Sequence, residues 1–124
     1  MRLKRLRRRA TAVVARDGKV LLVKDRGQDR YSLPGGGIKR SEPVVAAAAR
    51  ELREELGLKA VKVTRSPEYD FEGSFNLHHV CIVEATGEPR LRQLEVNAFL
   101  WWDMLEWVPI LPHVRCILEK VGRI

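Results

Sequence analysis

Residues 43–58, PVVAAAARELREELGL, constrain the chain most. Pro43 suits a first helical turn and Gly57 suits a C-terminal cap, so the spacing predicts a helix over 43–56. Val45, Ala48, Ala49, Leu52 and Leu56 recur at helical spacing and form the stripe expected to be buried. Glu51, Glu54 and Glu55 fall at i, i+3 and i+4, within an arc of about 100° beside that stripe. The arc is therefore expected at the rim of the core. Like charges so spaced repel by a few tenths of a kcal/mol per pair. They also sit in the last two turns, where the helix dipole favours cations. Arg50 and Arg53 are local partners, but exposed helical ion pairs are worth only ~0.3–0.5 kcal/mol. A hard divalent cation would relieve both the repulsion and the dipole. A solvated acidic face is the alternative reading.

The helix is flanked by strand-like runs on both sides. ATAVVARDGKVLLVKDR reads as two strands about an Asp17-Gly18 turn, and GQDRYSLPGGG as a loop. Beyond the helix, LKAVKVTRSPEYDF, SFNLHHVCIVEA and AFLWW are strand-like, TGEPRLRQLEVN is a turn and loop, and Pro112 opens a last helix. The order β, β, α, β, β, β, α predicts an α/β sandwich with a mixed central sheet. The 124 residues suit one domain with a real core, and 45% hydrophobic with 31% charged content is that of a globular chain.

No apolar run approaches the ~18 residues of a membrane span, and the N-terminus lacks the apolar stretch of a secretory signal. The expectation is a cytoplasmic protein without membrane contact. Cys81 and Cys116 read as reduced core residues. The net charge is +7, and Arg2, Lys4, Arg5, Arg7, Arg8 and Arg9 supply six of the positive charges. Residues 1–9 are thus read as a basic arm. Such an arm either binds nucleic acid or is a solvated tail leading into a strand, and it is expected to be dispensable for chemistry.

The wider context gives the acidic helix a meaning. Gly36, Glu42, Arg50, Glu51, Leu52, Glu54, Glu55, Gly57 and Leu58 fit the pattern G-x5-E-x7-R-E-U-x-E-E-x-G-U at every fixed position, where U is a bulky aliphatic residue. The chain therefore resembles the Nudix hydrolases, of the small MutT-like type, with a complete Nudix box at residues 36–58. The resemblance implies the Nudix α/β/α sandwich with a mixed central sheet. It also implies Mg²⁺-dependent hydrolysis of a diphosphate linkage, with Mn²⁺ able to substitute.

Residue roles follow from that resemblance. Glu54 and Glu55 match metal-binding glutamates. Glu51 matches a glutamate that either ligates metal or acts as general base, and Arg50 the arginine that orients a neighbouring glutamate. Glu42 matches an acidic loop position supporting the site, with helix-dipole compensation as its competing role. Gly35 and Gly36 match the turn where backbone approaches metal and phosphate. Glu95, on a later loop, is the candidate for a base or ligand outside the box, ahead of Glu84 and Glu88.

The box reads nothing about the leaving group. Selectivity is expected from loops around Tyr31, residues 69–76 and residues 91–98. Tyr31 could stack a base, and Asn97 could hydrogen-bond a base edge, its amide being both donor and acceptor. Neighbouring His78 and His79 should point to opposite faces of a strand. The expected substrate is a small nucleotide, a nucleoside di- or triphosphate cut to the monophosphate. ADP-ribose or dinucleoside polyphosphate hydrolysis, RNA 5′-end pyrophosphohydrolysis and a non-catalytic nucleotide-binding module are the alternatives. A monomer and a homodimer are both open.

Overall fold

A computed structural model describes residues 5–92 and 94–124; Arg2 and Lys4 of the basic segment lie outside them. Asp17 and Gly18 turn the chain between β1 (Arg7–Arg16) and β2 (Lys19–Asp25) with φ of 53° and 76°. Two left-handed residues give the hairpin turn whose twist matches its strands. β1 and β2 pair only beside that turn, at Ala15↔Val20 and Arg16↔Lys19. Beyond it they splay, and β3 (Gly35–Gly37) pairs antiparallel with β1 through Arg9, Ala10 and Thr11. The segment read as a loop therefore contains a strand. Glycine has poor strand propensity, but close backbone approach favours it. At Gly35, with φ 145°, a Cβ would collide with the Ala10 carbonyl oxygen.

There follow α1 (Val44–Leu56), β4 (Lys59–Arg65), a 3₁₀ turn at Pro67–Tyr69, β5 (Phe71–Glu72), β6 (Asn76–Thr86), β7 (Val96–Trp102) and α2 (Pro112–Val121). The sheet runs β4-β6-β1-β2-β7, with β3 on β1 and β5 on β6. The β1–β6 pair is parallel and the other pairs are antiparallel, so the sheet is mixed as expected. The run after α1 divides at Pro67, which has no N–H for a ladder and opens the 3₁₀ turn. Arg7, Arg8 and Arg9 lie within β1, paired to Asn76, Leu77 and His78 of β6. The last third of the segment read as an arm is thus a structural strand, because parallel pairing with β6 satisfies its backbone.

Period-two alternation builds the two hydrophobic layers. Ala10, Ala12 and Val14 of β1 and Leu21 and Val23 of β2 pack with Ala47, Ala48, Leu52 and Leu56 of α1. Val13, Val20 and Leu22 pack with Val114, Ile117 and Leu118 of α2. The α1 stripe is turned slightly from the expected one. Ala47 reaches the core, Val45 and Ala49 are only partly buried, and Glu55 is buried rather than at the rim.

His78 and His79 do point apart. His79 accepts from Arg8 Nε at 3.0 Å and donates through Nδ1 to Asp70 Oδ2 at 3.1 Å. Asp70 also receives both terminal nitrogens of Arg65 at 2.7 Å, so this network ties β1 to the outer sheet. His78, on the other face, stacks on His113 at 4.1 Å between ring centroids, and the two are 4% and 8% exposed. Thr11 Oγ1 lies 2.8 Å from His78 Nδ1, and Leu33 N–H donates to His113 Nε2 at 3.2 Å.

Desolvation, then the Arg9 charge, pushes His78 down to about 4; desolvation, then His78 and Arg9, pushes His113 down to about 2. The folded pKa values lie below the unfolded ~6.5, so the unfolded chain takes up protons first as pH falls. Each neutral histidine stabilises the fold fully above about pH 7 and less at every lower pH down to its folded value. Urea unfolding at pH 6.5 and below, in wild type and His113→Gln, reads this contribution together with its coupling to the stacked His78. Between pH 6.5 and 5 the wild type should lose roughly 1.6 kcal/mol more than the variant, the slope steepening toward about 1.4 kcal/mol per pH unit as the unfolded histidine becomes fully protonated. Parallel pH profiles would refute a neutral buried His113.

Candidate active site

The site forms where β1 and β2 splay and the C-terminal half of α1 faces the glycine strand. Gly57 closes α1 with φ 70°, its N–H bonding Arg53 O at 3.0 Å while Leu58 N–H bonds Leu52 O at 3.3 Å. The next carbonyls are capped by residues 90 and 92. Arg90 N–H donates to Leu56 O at 2.9 Å and Arg92 N–H to Glu55 O at 3.1 Å. The Arg90 and Arg92 side chains also approach Gly57, placing cations at the negative end of the dipole.

Arg50 organises the acids. Its Nε and Nη2 donate to the two Glu42 oxygens at 2.8 and 2.9 Å. Its Nη1 donates to Glu51 Oε1 at 2.8 Å and Glu54 Oε2 at 3.2 Å, and Nη2 also reaches Gly37 O at 3.0 Å. The Arg50 hydrogen bonds, with one from Lys39 N–H, draw Glu42 down to about 2. Glu42 also keeps Arg50 firmly protonated. Glu42 thus supports the site through Arg50, anchoring it to the turn before α1. Glu51 and Glu54 each retain one oxygen not committed to Arg50.

Glu55 solves the repulsion differently. Burial, then the charges of Glu51 and Asp25, push it up to about 8, against the opposing pull of Arg9 and the Gly35 N–H at 3.4 Å. It is therefore largely neutral at pH 7. Asp25 is also raised, mainly by burial, with Arg9 opposing. Gly36 lies so close to Glu51 that a Cβ there would fall on the carboxylate.

These groups face one cavity of about 800 Å³. It brings together Glu51, Glu54, Glu55 and Glu95 with Gly35 and Gly36, as the sequence suggested. Glu95 is held at the rim by its backbone, Arg26 N–H donating to Glu95 O at 2.6 Å. Tyr31 and Asn97 do not line the cavity. Tyr31 bridges to Ile110 and packs with the α2 layer, and Asn97 is exposed on β7. Glu88 pairs with Arg16 at 3.8 Å away from the site. Sequence reasoning missed Asp25, Arg26, Arg7 and Arg9, all of which line the cavity. A signal existed for Asp25, an acid ending an apolar strand, and for the alternating Arg7 and Arg9 that precede TAVVA.

The comparisons agree with this geometry. The NUDIX domain matches residues 6–114, and the chain belongs to the Nudix hydrolase family. It is 31% identical over 138 residues to the RNA pyrophosphohydrolase of Acidiphilium cryptum (strain JF-5), covering 90% of this chain and 84% of that one. It is 57% identical over 37 residues to the RNA pyrophosphohydrolase of Teredinibacter turnerae, covering 30% of this chain and only 22% of that protein. Two further RNA pyrophosphohydrolases are likewise spanned over just 23% and 28% of their lengths. Among solved structures, the MutT NUDIX hydrolase of Burkholderia pseudomallei superposes with a TM-score of 0.79 at 27% identity, covering 95% of this chain and 99% of that one.

Adjacent glycines at this site should respond differently to alanine. At Gly35 the new Cβ meets backbone and a left-handed φ, so Gly35→Ala should cost at least ~3 kcal/mol in urea unfolding. At Gly36 it meets only the movable end of Glu51, so Gly36→Ala should cost under about 1 kcal/mol while displacing that carboxylate. Equal losses would show that Gly36 is also packed against backbone.

Proposed function

We propose that the chain hydrolyses the diphosphate linkage of a nucleoside di- or triphosphate, releasing the nucleoside monophosphate, with Mg²⁺ as the resident ion and Mn²⁺ able to replace it. The observation that carries this reading is the cavity lined by Glu51, Glu54 and Glu55, by the glycine strand and by Arg7, Arg9 and Arg26.

The donor set suits the ion. All candidate ligands are hard oxygens, and Glu51 Oε2 and Glu54 Oε1 are not taken by Arg50. Among the described residues no group of three or more His, Cys, Asp or Glu side chains is drawn together closely enough to hold a metal ion by itself. Mg²⁺ in such a site keeps waters and takes substrate phosphate oxygens rather than a full protein cage. In this reading Glu51, Glu54 and Glu55 hold the ion, which, when bound, offsets phosphoryl charge and lowers the pKa of a bound water. Arg50 fixes the rotamers of Glu51 and Glu54, so their geometry does not have to be assembled during the reaction. In this reading either Glu51 or Glu95, both of which line the cavity, takes the proton of the attacking water.

A second cavity, of about 670 Å³, is lined by Phe71, Phe75, Asn76, His78, His113 and Arg30 among others. Its aromatic and amide groups suit a nucleobase, and we assign the base there rather than to Tyr31 and Asn97. A second reading, the triphosphorylated 5′ end of an RNA, is favoured by one observation. Arg7 is exposed and lines the acidic cavity, so a phosphodiester chain leaving that cavity would meet a cation. The RNA pyrophosphohydrolase names of several relatives support the same class.

The discriminating assay compares kcat/KM over nucleoside triphosphates, ADP-ribose, diadenosine polyphosphates and 5′-triphosphorylated RNA at fixed Mg²⁺. A preference above tenfold for a dinucleotide or a nucleotide sugar would overturn the mononucleotide assignment. Glu54→Gln keeps an oxygen for Arg50 and should fold normally, yet lower kcat by at least ~10². Wild-type turnover in the folded variant would exclude this site. Linkage gives a readout without turnover. Mg²⁺ should raise Tm in the wild type and do so less in a Glu54→Gln, Glu55→Gln double variant. Equal shifts in both proteins would place the ion elsewhere.

A further inference from the structure

We propose that Arg9, assisted by Arg7, is a substrate-phosphate clamp built into β1, set between the carboxylate cavity and the aromatic cavity. Arg7 and Arg9 are two residues apart and leave β1 on one face, whereas Arg8 leaves on the other and bonds His79. Both Arg7 and Arg9 line the acidic cavity. The Arg9 charge acts on Glu55 and Asp25 on one side and on His78 and His113 on the other. Arg9 lines the acidic cavity and is paired across β1 and β6 with His78, which with His113 lines the second cavity, so Arg9 lies beside both.

The state of Arg9 is the second observation. Its Nε is buried and has no hydrogen-bond partner. Among the described residues its guanidinium enters no salt bridge within 4.0 Å, although Glu55 and Asp25 are close enough to feel its charge. A buried arginine donor without an acceptor is costly, and planar bidentate recognition of phosphate oxygens is what a guanidinium does best. Arg50, by contrast, is fully spent on Glu42, Glu51 and Glu54. The two arginines therefore divide the work, Arg50 holding the acids and Arg9 free to hold the anion.

The inference rests on the diphosphate reading of the cavity, and its test separates the two. The probe is imidodiphosphate, a diphosphate analogue with a P–N–P bridge, titrated calorimetrically into the full chain with and without Mg²⁺. Arg9→Gln should weaken Mg²⁺-supported binding at least tenfold and raise KM for a hydrolysed nucleotide more than it lowers kcat. Arg9→Lys keeps the charge, loses the fork, and should fall between. Arg8→Gln removes the same charge from the opposite face and should bind as the wild type does. Unchanged binding in Arg9→Gln, or equal weakening in Arg8→Gln, overturns the clamp. If Arg9→Gln fails to fold, Arg9→Lys decides alone: undiminished affinity overturns the clamp, a several-fold loss supports it. Absence of nucleotide hydrolysis by the wild type would instead refute the functional reading, while the imidodiphosphate titration still judges Arg9.

Discussion

The Arg50 guanidinium is the interaction on which the site depends. One planar group binds Glu42 through both carboxylate oxygens and takes one oxygen each from Glu51 and Glu54. It also bonds the Gly37 carbonyl, and so fastens α1 to the glycine strand. The side chain is only 13% exposed. Removing it would leave several partly buried carboxylates without a counter-charge, a far larger penalty than loss of a surface ion pair. Lysine could not replace it, because a point charge cannot address several acceptors in fixed directions. Arg50 thus offsets part of the repulsion between Glu51 and Glu54 while also bonding Glu42, and burial pushes the third acid, Glu55, toward its neutral form.

The backbone makes room for this arrangement. Because β1 and β2 pair only beside their turn, a gap opens that β3 fills with glycine. Gly35 can then press on the Ala10 backbone, an approach that a side chain would forbid, and Gly36 on the Glu51 carboxylate, which a side chain would displace. Arg90 and Arg92 complete the enclosure by donating N–H groups to the end of α1. Glu95, shortly after them, lines the same cavity. Strand divergence, glycine and helix capping thus act together to expose the uncommitted oxygens of Glu51 and Glu54 to one space.

Much of this was legible in the sequence. The helix at 43–56, the Asp17-Gly18 hairpin, the strand preceding the late tryptophans and the helix opened by Pro112 are set by local periodicity and turn chemistry, and they stand where expected. The box acids converge because i, i+3, i+4 spacing survives any tertiary context. What was not legible depended on pairing between distant segments. Three glycines carry no strand signal of their own, and only β1 makes them one. Arg7, Arg8 and Arg9 look like a solvated tail until β6 is laid beside them in parallel. Asp25, Arg9 and the two buried histidines acquire meaning only when the splay of β1 from β2 is known. Tyr31 and Asn97 were judged by side-chain chemistry alone, and strand register sent them elsewhere.

The distribution of charge in the cavity follows from the same geometry. Its walls carry Arg7, Arg9 and Arg26 facing Asp25, Glu51, Glu54, Glu55 and Glu95. Burial raises Glu55 and Asp25, so these two acids resist ionisation. Arg50 is already matched to its own partners, so it cannot relieve them. Arg9 can, since its charge is the one opposing the rise at both Asp25 and Glu55. It does so at electrostatic range rather than by direct contact, which keeps its donors available. A positive group that both favours ionised acids and keeps its hydrogen bonds unspent is balanced between two ligands of opposite sign. The cavity is thus electrostatically prepared for a cation and a polyanion together more than for either alone.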